Sequence, residues 1–328
     1  MVAAPDKFRG TATAAEVAAA VARAAKAAGW ECAEIPLADG GEGTLEALGG
    51  PNRRTVVTGP LGDPVEAEWR LAGRTAVIEM ARASGLDLVG GPEGNDPIAA
   101  STYGTGELIM AALDAGARRI LVGVGGSATT DGGLGALRAL YPLPRLRGVE
   151  LLVACDVRTG FVEAAEVFAP QKGASTAQVE LLRRRLERLA QVYREDHGID
   201  VAAMHGAGAA GGLAGGLAAA GASLVEGFDL VADELDLDAA LDGADLVVTG
   251  EGFLDEQSFD GKVVGGVLDR AMEAGVPVLA VAGEVFDDAG LRLQAVSLVE
   301  RFGEERSRSD TVACVEQVVA EALAKLKR

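Results

Sequence analysis

Residues 123–133 read Gly-Val-Gly-Gly-Ser-Ala-Thr-Thr-Asp-Gly-Gly, with three hydroxyls and a carboxylate packed between Ser127 and Asp131. The glycines let several backbone N–H groups turn toward one point, and a helix following the loop would add the positive end of its dipole. That chemistry holds an anion. A plain connection would need only glycine and one Asn or Asp, so the extra polar groups call for a use. Gly126, Ser127, Thr129 and Thr130 are candidate ligands for a carboxylate or a phosphate. Asp131 is a candidate base or orienting group for a hydroxyl, with a helix cap as the plainer alternative.

Four more loops carry acids after expected strands: Asp6 in Pro5-Asp6-Lys7-Phe8-Arg9-Gly10, Asp39 in Asp39-Gly40-Gly41-Glu42-Gly43, Asp156 after an apolar run, and Glu251 in Thr249-Gly250-Glu251-Gly252. Magnesium is commonly held by one or two carboxylates together with phosphate oxygens, which makes Asp156 and Glu251 candidate metal ligands. Asp6 and Arg9 are candidate substrate contacts, and Asp39 shares the base-or-orienter role with Asp131. Arg9, Lys172 and Lys262, each in a loop or at a helix start, could meet phosphate. The run from Gly206 through Gly208 to Gly211 matches GxGxxG, but residues 200–205 make a poor strand. Close helix packing, or a helix start facing phosphate, explains it better than a dinucleotide fold. No Walker A motif exists, because Gly261-Lys262 lacks both the upstream glycine and the following Ser or Thr.

A kinase needs a phosphate cradle, metal ligands, a basic group for the transferred phosphoryl and a base near the acceptor hydroxyl. These loops can supply all of them. Two other classes stay open: a nicotinamide oxidoreductase built on Gly206 and Gly208, and an anion-binding protein that closes on its ligand without reaction. The residues by themselves lead to a small-molecule phosphotransferase or an anion-binding α/β enzyme.

The elements that would position these loops alternate along the chain. Strands are expected near residues 2–4, 33–37, 55–57, 65–71, 75–80, 120–122, 151–155, 245–248, 276–281 and 295–299. Helices are expected over 14–28, opened by a Thr13/Glu16 capping box, and over 262–274 and 311–326. A longer one over 176–194 should turn Leu181, Leu182, Leu186 and Leu189 inward and an arginine-rich face outward. Strand–helix alternation predicts a mostly parallel α/β architecture. Ligands of such sheets bind at the carboxyl ends of the strands, so strands of one polarity would bring the five loops to one rim.

At 328 residues the chain is long for a single core, and two domains are expected. A net charge of −19 argues against a nucleic-acid partner, since phosphate backbones are gripped by Lys and Arg patches. Cys32, Cys155 and Cys314 lie far apart, which suits a reducing compartment, and His197 and His205 alone leave little for a zinc site. The start of the chain lacks a basic segment before an apolar stretch, and no window approaches the ~20 apolar residues of a membrane span. A soluble, cytoplasmic protein without a membrane partner is expected.

The loops, in this order, resemble the bacterial type I glycerate kinase family. The resemblance rests on Ala4-Pro5-Asp6-Lys7-Phe8-Arg9-Gly10, residues 38–44, Ile78-Glu79-Met80-Ala81, and residues 101–108, 125–133, 154–157, 170–174, 206–212 and 249–257, which together span nearly the whole chain. It implies ATP-dependent phosphorylation of D-glycerate with Mg²⁺, usually at the 2-hydroxyl, the alternatives being the 3-hydroxyl or another small hydroxy acid. It also implies two α/β domains with mostly parallel sheets and the active site in the cleft between them. One would be a discontinuous, Rossmann-like domain of residues 1–57 and 240–328, and the other an insertion of residues 58–239 carrying the 125–133 loop. On this reading Asp131 and Asp39 face the acceptor hydroxyl, while Lys172, Gly206, Gly208 and Lys262 meet the nucleotide phosphates. The chain departs from the family at Lys7 and Arg9, where Ser and Lys are usual, at Arg158-Thr159-Gly160, where Asn-Pro-Leu is common, and at Ala169, where Gly is usual before the proline.

Overall fold

The computed structural model describes residues 1–286, 293 and 295–326. The strands in chain order are β1 (Val2–Ala3), β2 (Ala33–Glu34), β3 (Arg53–Thr58), β4 (Pro64–Ala72), β5 (Thr75–Glu79), β6 (Arg119–Gly123), β7 (Glu150–Cys155), β8 (Ser223–Glu226), β9 (Val247–Leu254), β10 (Val278–Val285) and β11 (Ala295–Ser297). They form two sheets in two compact units. One unit comprises Met1–Asp39, Glu46–Leu48 and Phe228–Arg328, and the other Gly40–Leu45 and Gly49–Gly227.

The first unit holds a five-stranded sheet in the order β11-β10-β9-β1-β2, parallel throughout. Its central strands carry apolar residues on both faces, as burial between helix layers demands, whereas the edge strand β2 is exposed. β1 shows this in two residues: Val2 packs with Phe228, Val231 and Val263, whereas Ala3 packs with Val17, Val21 and Val315 on the other face. The helix Ala14–Ala27 starts with the expected capping box, since the Thr13 hydroxyl accepts from Glu16 N at 3.2 Å and Glu16 Oε2 accepts from Thr13 N at 2.8 Å. From β1 the chain crosses to β2 on one side, and from β9 to β10 on the other. The order therefore reverses between β1 and β9, where open α/β sheets take their ligands.

The second unit holds a six-stranded sheet in the order β3-β4-β5-β6-β7-β8, antiparallel up to β5 and parallel from there. Ile78, Ile120, Val122, Leu151 and Val153 form its core with Leu108, Ile109, Leu213 and Leu217. The helix Thr176–His197 lies in a further cluster, burying Leu182, Leu186, Ala190 and Tyr193 around Phe161.

Five expectations are corrected. Leu181 is 43% exposed rather than inward, because the buried stripe at 182, 186, 190 and 193 leaves its neighbour about 100° off the face. β2 is short, although Ile35 N and Leu37 N still donate to Ala3 O and Pro5 O. β9 runs through Leu254, so Glu251 sits in a strand and not in a loop after one. The five acid-bearing loops divide between two sheets: Asp6, Asp39 and Glu251 belong to the first unit, residues 125–131 and Asp156 to the second. The units also part at different points from those expected. Arg53–Thr58 pairs into the second sheet, and residues 228–241 pack in the first unit. Among the described residues no helix is long and apolar enough to cross a membrane.

Candidate functional site

The loop after β6 is held from three sides within the second unit. Leu86 N donates to Gly126 O at 2.9 Å, and Ala128 N donates to Ser84 O at 3.0 Å. A Cβ on Gly123 would lie 2.7 Å from Gly40 O, and one on Gly125 would lie 2.9 Å from Gly41 Cα. The loop and residues 40–45 thus meet backbone to backbone, which only glycine permits. Gly126 is the exposed residue of the loop, with φ +67°. Ser127, Thr129 and Thr130 are buried, and among the described residues the hydroxyls of both threonines have no hydrogen-bond partner.

Lys172 lies beneath this loop. A single turn of 3₁₀ helix, Pro170–Lys172, presents it, and the residue is only 3% exposed. Its Nζ donates to Ser127 Oγ at 2.7 Å and to Thr129 O at 2.6 Å. Asn95 Nδ2 clips the two segments together by donating to Ala128 O at 3.0 Å and to Lys172 O at 2.9 Å. Burial pulls the ammonium down to about 7, against the opposing field of Asp131. The Nζ is enclosed and gives two of its three donors to the loop itself, so the expected role as a nucleotide-phosphate ligand gains no support from this geometry.

Asp131 is also committed. Oδ2 accepts from Thr102 N at 2.9 Å, Thr102 Oγ1 at 2.9 Å and Gly135 N at 3.1 Å, while Oδ1 accepts from Gly133 N at 3.0 Å. Three donors converge on Oδ2 and one on Oδ1, and these bonds cap the helix Leu134–Leu140 and tie it to residue 102, while the half-buried carboxylate also lines a cavity of about 730 Å³ with Ser101, Thr130 and Arg138. A base needs an oxygen open to its proton. These bonds show the capping role, and the base role stands as a proposal.

Gly208 and Gly211 are held by close packing, and Gly206 is buried with φ +78°. A Cβ on Gly208 would lie 2.3 Å from Gly160 O, and one on Gly211 would lie 2.0 Å from Thr129 O. Ala210, Gly211 and Gly212 all have positive φ, so no regular helix starts at Gly208, and Gly132 N donates to Gly211 O at 3.0 Å. The segment buttresses the loop of residues 129–132. It is not the strand–turn–helix that a dinucleotide requires, and the oxidoreductase reading loses its support.

In the first unit, Asp6 and Glu251 stand at the ends of β1 and along β9. Asp6 is 8% exposed and accepts from Lys7 N at 2.7 Å. Burial pushes it up to about 6, with the charge of Asp39 adding and those of Lys7 and Lys262 opposing. Burial likewise pushes Glu251 up to about 7, against the Ser258 hydroxyl and Lys262, while Asp6 and Asp255 add to the rise. Glu251 Oε1 is buried and, among the described residues, has no hydrogen-bond partner. Among the described residues no three His, Cys, Asp or Glu side chains stand close enough to hold a metal alone. Glu251 and Asp6 nevertheless offer the one or two carboxylates that Mg²⁺ takes when phosphates complete its shell.

Of the remaining candidates, Arg9 is exposed beside a groove of about 340 Å³ lined also by Phe8, Phe253 and Arg308. Asp156 is exposed at the end of β7, and Asp39 is half-buried as the last residue before the chain passes to Gly40. Three anchors escaped the sequence reading. Glu79, buried, accepts from Gly43 N and Leu45 N, both at 2.9 Å, and so shapes residues 40–45. Thr102 and Asn95 hold Asp131 and Lys172 in place. Glu79 and Thr102 lie in the quoted family segments, which was a usable signal; Asn95 carried none.

Comparison with known proteins gives a consistent result. The glycerate kinase family matches residues 1–141 and 142–327. The glycerate 2-kinase of Escherichia coli (strain K12) is 40% identical, over 89% of this chain and 87% of its own length. The glycerate kinase of Bacillus subtilis (strain 168) is 41% identical, over 88% and 86%. A crystal structure from Salmonella typhimurium LT2, described as a glycerate kinase 2, superposes with a TM-score of 0.85 at 36% identity, covering 100% of this chain and 99% of that one.

Two outcomes follow from the site. Asp131→Asn should destabilise the protein by about 1–3 kcal/mol in urea titrations, as the loss of charged capping bonds does; unchanged stability with lost turnover would favour the base role over the cap. Asp6 titrates higher folded than unfolded, so the folded state binds more protons between about pH 4 and pH 6 and loses stability as pH rises through that window. Asp6→Asn should be more stable than wild type above pH 6, by up to about 3 kcal/mol, with the gap closing toward pH 4. A gap independent of pH in metal-free urea melts would contradict this.

Proposed function

Because the chain belongs to the glycerate kinase family, we propose that it transfers a phosphoryl group from ATP to the 2-hydroxyl of D-glycerate, giving 2-phosphoglycerate and ADP. The observation that carries this reading is the family match over residues 1–141 and 142–327. The choice of the 2-hydroxyl is supported by the name of the Escherichia coli relative.

Phosphoryl transfer asks a protein for positioning and charge more than for covalent chemistry. In this reading the glycerate carboxylate rests on Gly126 and Ser127, over the buried ammonium of Lys172. Asp131, in the same loop, is the candidate base or orienter for the acceptor hydroxyl in the second unit, and Asp39 is the candidate that the first unit offers. Lys262 and Arg9 would meet the ATP phosphates near the β1/β9 reversal, where α/β sheets accommodate nucleotides. Glu251 and Asp6 would hold Mg²⁺, the orphaned Oε1 of Glu251 being the observation that favours them over exposed Asp156. When bound, the metal would neutralise charge on the phosphates.

An assay coupling ADP release to D-glycerate, ATP and Mg²⁺ should show saturable turnover, and ¹³C NMR should show phosphorus coupling at C2 of the product. Absence of glycerate-dependent ADP release would reject the kinase, and phosphorylation at C3 would reject the regiochemistry. Glu251→Gln should raise the Mg²⁺ concentration for half-maximal rate roughly tenfold or more, the scale on which metal-site changes act. An unchanged requirement would remove Glu251 from the metal site.

A further inference from the structure

We propose that Lys172 is a positioning residue that fixes the direction of the Ser127 hydroxyl, turning the loop into a hydrogen-bond donor for the carboxylate of the acid substrate. The proposal rests on the reading of Gly126 and Ser127 as the glycerate site. An ammonium has three donors and no lone pair, so any hydroxyl bonded to it must accept. Lys172 Nζ stands 2.7 Å from Ser127 Oγ and 2.6 Å from Thr129 O. Ser127 Oγ therefore receives a hydrogen from below, and its own hydrogen must go elsewhere. Among the described residues that hydrogen meets no protein acceptor, and the residue before it, Gly126, is the exposed one of the loop. An anionic oxygen placed there completes a chain from ammonium to hydroxyl to carboxylate, each link strengthened by charge.

The same geometry has a second state. A neutral Lys172 amine gains a lone pair, can still donate to Thr129 O, and can accept the Ser127 hydrogen. The hydroxyl then donates inward, and the loop loses its donor together with the charge beneath it. Burial brings Lys172 to about 7, so both states lie near neutral pH. The charged group facing it is Asp131, from the loop itself. The segment around residue 95 faces it with neutral Asn95, its Glu93 and Asp96 being exposed, and the helix Ala164–Phe168 carries exposed Glu166. An anion on Ser127 favours the ammonium, so binding above neutrality must draw a proton into the protein.

Titration calorimetry of the full chain with D-glycerate, without ATP, tests this in buffers of different ionisation enthalpy. For wild type we expect affinity to fall roughly tenfold or more from about pH 6 to about pH 8.5, with up to about one proton taken up per glycerate near pH 8. Lys172→Met should bind weakly at every pH, without that slope and without proton uptake. In turnover the loss should appear in KM for glycerate with kcat changed much less. Ser127→Ala should weaken binding at pH 6 by roughly tenfold, the scale of a hydrogen bond to a charged group. The same slope and uptake in Lys172→Met as in wild type would overturn the proposal. Should that variant not fold, a wild type with flat affinity and no uptake overturns it equally. Unchanged affinity of Ser127→Ala at pH 6 would instead show that glycerate binds elsewhere, which rejects the underlying site and not only the role of Lys172.

Discussion

A lysine ammonium closed off from water must find acceptors or surrender its proton. Lys172, 3% exposed, finds Ser127 Oγ and Thr129 O, and much of the second unit's site follows from that pairing. The loop after β6 has few side chains of its own with which to hold a shape. Its conformation is imposed by Lys172 from beneath, by Asp131 from its own far end, by glycine-to-glycine contact with Gly40, Gly41 and Gly212, and by Gly211 against Thr129 and Thr130. The ammonium is held there at a cost in stability that is present in full below about pH 7 and relieved above it, as a depressed lysine requires. Such a cost makes sense at a place where negative charge is to be received.

The first unit carries the opposite arrangement. There the same effect of burial that depresses Lys172 raises Asp6 and Glu251, and among the described residues one oxygen of Glu251 has no donor. Carboxylates kept dry and near each other are unfavourable alone and become favourable when a cation arrives. One unit thus holds a buried cation under a loop suited to anions, and the other holds buried anions suited to a cation. For a chain of net charge −19 acting on anionic molecules, such local inversion matters more than the sum.

The architecture was legible because local signals agreed with it. The Thr13/Glu16 box, the two-sided apolar runs at residues 151–155 and 247–248, and the strand–helix alternation each imposed one reading. Leu181 failed because four leucines near one stripe do not all fit it, and only the phase of the packed helix decides between neighbours. The chemistry of individual residues was less legible. Asp131 in a glycine-rich loop looks alike whether it meets substrate or backbone, and only the folded chain shows its Thr102, Gly133 and Gly135 donors. Lys172 looks like any loop lysine in sequence, since its burial depends on residues 95 and 127–129, far away along the chain. GxGxxG is likewise ambiguous, because small residues serve close packing and phosphate binding equally well.

The central claim is that the Ser127 hydroxyl, aimed by Lys172, receives the substrate carboxylate. A crystal structure of the protein with D-glycerate at about pH 6 tests it most directly. One carboxylate oxygen should lie within about 3 Å of Ser127 Oγ, with Nζ of Lys172 still bonded to the other side of that hydroxyl. Ordered glycerate bound away from Gly126 and Ser127, with that loop bare, would contradict the account.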